Sequence, residues 1–128
     1  MMIRAWLAFD VVASSRDVAE SSLRKHVSKM LSLPAVREVE TKYHEPEETE
    51  FHGKKAFSAA AETTVEISSF KDLVNIIMVY GPSAIEIMGP EKVELPLSDM
   101  QDICNVVSGM MHRFAAAGLG GLVINAEK

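Results

Sequence analysis

The stretch from Tyr43 to Lys55 holds the side chains whose types best suit chemistry. His44 and His52 flank four glutamates, and imidazole and carboxylate groups are ligands for zinc and other divalent ions. The glutamates between the two histidines are Glu45, Glu47, Glu48 and Glu50. Because this spacing matches no defined metal site, the first interpretation is a solvated acidic loop that discourages sheets from pairing edge to edge. A metal site at His44 and His52 is the alternative.

The other candidates for chemistry lie near the C-terminus. Cys104 follows Ile103 in an apolar helical pattern with no basic neighbour, which predicts an inert, buried thiol. His112 has no serine or cysteine partner at a telling spacing, so we expect a histidine near the C-terminal end of a helix. The glycines at 118–121 follow a helix, whereas phosphate-binding glycine loops precede one. We therefore expect neither a catalytic set nor a cofactor.

The composition bounds the class of protein. The chain has 128 residues, 48% of them hydrophobic, and 13 basic against 18 acidic side chains give a net charge of −5. That length predicts one domain over 1–128, and the single cysteine excludes an intramolecular disulfide. An acidic chain is repelled by phosphate backbones, so no nucleic-acid partner is expected. No apolar run reaches about 18 residues, so no membrane span is predicted, and the pattern favours the cytoplasm.

Hydrophobic periodicity predicts the elements that position these residues. Strict alternation indicates strands over 3–12, 36–43 and 57–67, with another opening at Ile85. Helical stripes run from Val18 to Pro34, from Ser69 to Tyr80 and from Ser98 towards Gly118. In 36–43 we expect Val39 on the apolar side, and Ser98 as the cap of the last helix. The segment Leu122-Val123-Ile124 is apolar enough for a short terminal strand.

The order β-α-β-β-α-β followed by a helix predicts a fold class. It is typical of the ferredoxin-like α+β sandwich, in which an antiparallel sheet carries its two helices on one face.

The opposite face of that sheet needs a partner. Its expected members are Trp6, Ala8, Ala60, Thr64, Ala84, Glu86 and Met88, with Glu40, Glu62 and Glu66 around them. Small residues around one large aromatic suit the packing of another element. The last helix offers its stripe from Met100 to Phe114 within the chain; alternatively, a second copy packs there about a two-fold axis. RNA-binding sheets of this type display several aromatics among basic residues, which this face does not.

Residues 57–114 resemble a known family. The run from Val65 to Glu91 contains a strand, a helix stopped by Gly81-Pro82, a strand of alternating Ile and Glu, and a proline turn before the final helix. This pattern resembles the C-terminal extension domain of WYL-type transcriptional regulators. The resemblance implies a ferredoxin-like regulatory or oligomerisation module with no chemistry of its own, and no functional residue is carried over.

Together these patterns predict a small, non-enzymatic, homo-oligomeric domain used for interaction or ligand sensing. The interface or ligand face would comprise Trp6, Ala8, Ala60, Thr64, Glu86 and Met88. A small-molecule ligand on that face stays open. The alternative is a metal-binding protein or enzyme that uses His44, His52 and the neighbouring glutamates.

Overall fold

The computed structural model describes residues 2–118, and the chain forms two units, Met1–Val93 and Glu94–Lys128. The first unit contains β1 (Ile3–Ala13), α1 (Arg16–Leu31), β2 (Val36–Tyr43), β3 (Glu47–Phe51), β4 (Lys54–Ile67), α2 (Phe70–Tyr80) and β5 (Ala84–Gly89). The second contains α3 (Leu97–Ala116). None of the helices within residues 2–118 combines the length and apolarity needed to cross a membrane.

The strands of the first unit form one sheet in the order β2-β4-β1-β5, and β3 pairs with β4 beside this path. Every pairing is antiparallel. The odd-numbered residues of β1 from Ile3 to Phe9 are buried, because the alternation turns them all to one face. The chain is therefore an α+β protein with an antiparallel sheet, as the sequence predicts.

Both helices of the first unit pack on the buried face of the sheet. From α1 the core receives Ala19, Leu23, Val27 and Met30, and from α2 it receives Leu73 and Ile76. Each large side chain buried here contributes roughly 1.5–3 kcal/mol relative to its exposed state. The other face of the sheet faces away from both helices.

Capping side chains fix the ends of these helices. The Ser15 hydroxyl accepts the Val18 N–H at 3.2 Å, and the Ser69 hydroxyl accepts the Asp72 N–H at 3.1 Å. Gly81 ends α2 in the left-handed region at φ 58°, and its N–H donates to the Ile77 carbonyl at 3.0 Å. The predicted start of α2 at Ser69 and its stop at Gly81 are confirmed.

The segment between β2 and β4 differs from the predicted irregular loop. It forms β3, which turns back at His52 and Gly53 and pairs with β4, whose first residue is Lys54. His52 and Gly53 both have positive φ, 53° and 74°, as the two central residues of a tight hairpin turn of the primed type require. The predicted loop was therefore wrong over Glu47–Phe51.

Two further expectations were wrong. The register between β2 and β4 shifts between Glu38 and Glu40, so Val39 is an extra residue in a bulge and is 43% exposed. It therefore does not join the apolar face. Ser98 lies inside α3, whose N-cap is Pro96 without a side-chain hydrogen bond. The predicted strand over Leu122–Ile124 lies outside the described residues.

Candidate functional site

The even-numbered residues of β1 and their neighbours form the face of the sheet opposite α1 and α2, here called the Trp6 face. Trp6 lies between Thr64 of β4 and Glu86 of β5. The neighbouring rows hold Glu62, Ala8 and Ala84, and then Ala60 and Asp10. The structure thus places five of the predicted face residues, Trp6, Ala8, Ala60, Thr64 and Glu86, in adjacent rows.

Met88, the sixth predicted face residue, lies where the pairing of β5 with β1 is irregular. Ile87 is opposite Ala5, but the next registered pair joins Gly89 to Arg4. Met88 is consequently an extra residue in this edge strand, and it is 54% exposed. Alternation along β5 therefore does not extend regularly from Glu86 to Met88.

Trp6 is fixed in position by a hydrogen bond. Its indole Nε1 donates to Oε1 of Glu62 at 3.1 Å, and the ring is half-buried. A shallow cavity of about 140 Å³ lies beside it, lined by Trp6, Glu40, Lys42, Glu62 and Thr64. The hydrogen bond to Glu62 thus orients the indole ring at the surface.

Glu62 is also linked to His44, which follows β2. The His44 backbone N–H donates to the Ala60 carbonyl at 2.9 Å, which brings the imidazole Nε2 to 2.5 Å from Oε2 of Glu62. The hydrogen bonds from His44 and then Trp6 lower the pKa of Glu62 below its ordinary 4.5, and the charges of His44 and Lys42 add to this against a smaller opposing effect of desolvation. Glu62 is therefore a carboxylate at neutral pH.

Glu66 is the second carboxylate centre of the Trp6 face. It lies between Arg4 of β1 and Arg37 of β2 in the register, accepts a hydrogen bond from Arg4 Nη2 at 3.4 Å and is paired with Arg37. Its side chain is only 18% exposed. One end of the face is thus arginine-rich, whereas Asp10 lies towards the other end of β1.

The residues of the predicted metal cluster have other contacts. His44 contacts Glu62, whereas His52 packs edge-on against Phe51 with ring centroids 4.2 Å apart. Two of the glutamates form ion pairs, Glu45 with Arg16 at 2.9 Å and Glu48 with Lys55 at 2.7 Å. Within residues 2–118, no three His, Cys, Asp or Glu side chains are grouped so as to hold a metal ion.

Cys104 is exposed, so the prediction of a buried thiol was wrong. That prediction assumed that the helix is covered around Ile103, whereas none of the residues of α3 is buried. His112 is exposed near the C-terminal end of the same helix, as expected.

Sequence patterns did not reveal the two carboxylate centres. Alternation alone assigns Glu62 and Glu66 to the right face, but their partners Arg37 and His44 come from β2 and from the residue that follows it. Which residues of β2 lie opposite them depends on the bulge at Val39, and no sequence signal marks that bulge.

The family model that matches this sequence is that of the MJ0538 family, over residues 4–127. No curated protein and no solved structure matches the chain. Neither finding links it to WYL-type regulators, so that resemblance stays a prediction.

Proposed function

We propose that this chain, which belongs to the MJ0538 family, is a non-enzymatic, homo-oligomeric interaction or ligand-sensing domain whose copies associate through the Trp6 face. The observation that carries the proposal is the half-buried indole of Trp6, held by Glu62. An aromatic side chain fixed before association loses little conformational entropy when it is covered. Tryptophan is also among the residues that contribute most at the centres of interfaces.

The surroundings of Trp6 favour a flat protein partner over an enclosed ligand. The neighbouring rows contain Ala8, Ala60 and Ala84, whose small side chains leave room for close approach. The cavity beside the indole, at about 140 Å³, is smaller than the roughly 300–1,000 Å³ of ordinary ligand pockets. At the Trp6 face, association is therefore the first function and ligand sensing the second.

The charges of the face suit a second copy of the same chain. Arg4 and Arg37 share Glu66 at one end of the face, which leaves a net charge of +1 there (2 − 1). Asp10 lies six residues further along β1, roughly 20 Å away at 3.3 Å per residue. A two-fold axis perpendicular to β1 sets the arginine end of one copy over the Asp10 end of the other. Such an isologous interface pairs opposite charges twice.

The topology of the first unit supports a ferredoxin-like fold with β3 as an insertion. When β3 is set aside, the remaining strands are four, and the first and third of them in chain order are the central pair of the sheet. Both helices lie on one face, as the βαββαβ arrangement requires.

Substitution of Trp6 tests the association surface. We expect Trp6→Arg to lower the mass measured by light scattering at micromolar concentration, because the interface loses its aromatic anchor and would have to desolvate a guanidinium in its place. Val79→Arg is the matched control, since Val79 is 71% exposed on α2, away from the Trp6 face. The mass of the Val79→Arg variant should equal that of the wild type. Circular dichroism shows that each variant is folded. An unchanged mass for folded Trp6→Arg would contradict the proposal.

A further inference from the structure

We infer that α3 pairs with α3 of a second copy in an antiparallel two-helix coiled coil, an inference that rests on the proposed self-association. Its basis is the spacing of one set of side chains, here called the α3 seam. The members of the seam are Leu97, Met100, Cys104, Val107, Met111 and Phe114. They follow one another at intervals of three, four, three, four and three residues, which is the a/d repeat of a coiled coil.

The side chains of the α3 seam are exposed to solvent, and packing against another surface would remove them from water. Every apolar member with a large side chain is exposed, and none of the residues of α3 is buried. Most of the stability of a helix in a protein comes from the packing of its apolar side. The positions on one flank of the seam, Gln101 and Ser108, are uncharged, and those on the other flank, Ile103 and Met110, are apolar and half-buried. No charge in either flank opposes pairing.

The order of side-chain sizes favours an antiparallel pair. In that arrangement each a position faces a d position of the other helix. Leu97 then faces Phe114 of the second copy, Met100 faces Met111, and Cys104 faces Val107. Large side chains thus meet at both ends and small ones meet in the middle, so that each layer is filled by residues of similar size.

The charges of α3 also favour the antiparallel arrangement. Asp99 and Asp102 lie in its N-terminal half and Arg113 lies in its C-terminal half, at positions outside the seam. An antiparallel pair sets the acidic half of one helix beside the basic half of the other, and it also opposes the two helix dipoles. A parallel pair would set each half beside its like.

Substitution of a charged residue into the seam tests whether α3 mediates association. We expect Val107→Asp to lower the mass by light scattering, because the aspartate would be buried without a partner in the central layer. Asn105→Asp is the matched control, since it adds the same charge at an exposed position outside the seam. An unchanged mass for Val107→Asp would overturn the inference. It would leave the proposed function intact if Trp6→Arg still lowers the mass.

Cysteine cross-linking tests the direction of the pair, with Cys104→Ser as the background. Met100→Cys and Met111→Cys on one helix are about 16 Å apart at 1.5 Å per residue, too far for an internal disulfide. We expect the double variant to form a covalent dimer under air oxidation, and Met100→Cys alone to form none. A dimer from Met100→Cys alone would show a parallel pair. No cross-link in the double variant would show that another surface, in this chain or elsewhere, covers the seam; either result overturns the inference.

Discussion

At the residue scale, Glu62 joins three strands at one point. It lies on β4, accepts the indole N–H of Trp6 from β1, and is bound by His44, which follows β2. The Glu62 side chain is 40% exposed, so this cluster contributes more to the orientation of Trp6 than to the free energy of folding. The position of the indole, on which the proposed interface depends, is thus set by a single carboxylate.

The lowered pKa of Glu62 predicts a pH dependence of stability. Because the pKa in the folded state lies below 4.5, the ionised carboxylate stabilises the fold above that pH, and this contribution is lost as the pH falls through the folded pKa. We expect the free energy of unfolding in urea to fall less steeply below pH 4.5 in Glu62→Gln than in the wild type. In Trp6→Phe, which lacks one of the two hydrogen-bond donors to Glu62, the steepness of this fall should lie between those of Glu62→Gln and the wild type. Parallel curves for all three proteins would contradict this account of Glu62.

Alternation along single strands was enough to place Trp6, Thr64 and Glu86 together. Trp6 and Thr64 alternate with buried residues, and Glu86 alternates with the apolar Ile85 and Ile87. Paired strands that share one face must share the other face as well. The pairing of Glu62 with His44 and of Glu66 with Arg37 could not be predicted in this way. Those contacts depend on the relative register of β2 and β4, which one extra residue at Val39 changes.

At the scale of elements, β3 shows why a strand can be missed. All of its residues are exposed, so no buried face imposes an alternation of apolar and polar side chains. The turn at His52 and Gly53 lacks the more familiar Asn-Gly or Asp-Gly pair, although both residues adopt the positive φ that such a turn needs. The start of α2 at Ser69 and its stop at Gly81 were easier to predict, because caps act locally and do not depend on register, whereas Ser98 was wrongly expected to cap α3.

The cap of α2 gives a prediction at this scale. The Ser69 hydroxyl accepts the Asp72 N–H and donates to the Asp72 carboxylate at 2.8 Å. We expect Ser69→Ala to reduce the free energy of unfolding by about 1 kcal/mol, because a helix N–H loses its acceptor. Ser21→Ala, at an exposed position within α1, should stay within about 0.5 kcal/mol of the wild type. Equal effects of the two variants in denaturant unfolding would contradict the role of the cap.

At the scale of the whole molecule, the two proposed interfaces lie on different units of the chain. The Trp6 face belongs to Met1–Val93, and the α3 seam belongs to the unit from Glu94 onward. Two separate isologous interfaces in one chain close into a dimer of dimers when their two-fold axes meet at right angles. We therefore expect Trp6→Arg and Val107→Asp each to leave a dimer and the double variant to be a monomer. A monomer from either single variant would contradict the independence of the two interfaces.

Self-association is the central claim, and Trp6 provides its own probe because it is the only tryptophan of the chain. The most direct measurement is the light-scattering mass over a dilution series, with tryptophan emission recorded on the same samples. We predict a mass several times 14.0 kDa at micromolar concentration, and an emission that shifts to longer wavelength as dilution lowers the mass. A mass of 14.0 kDa at every concentration would contradict the account.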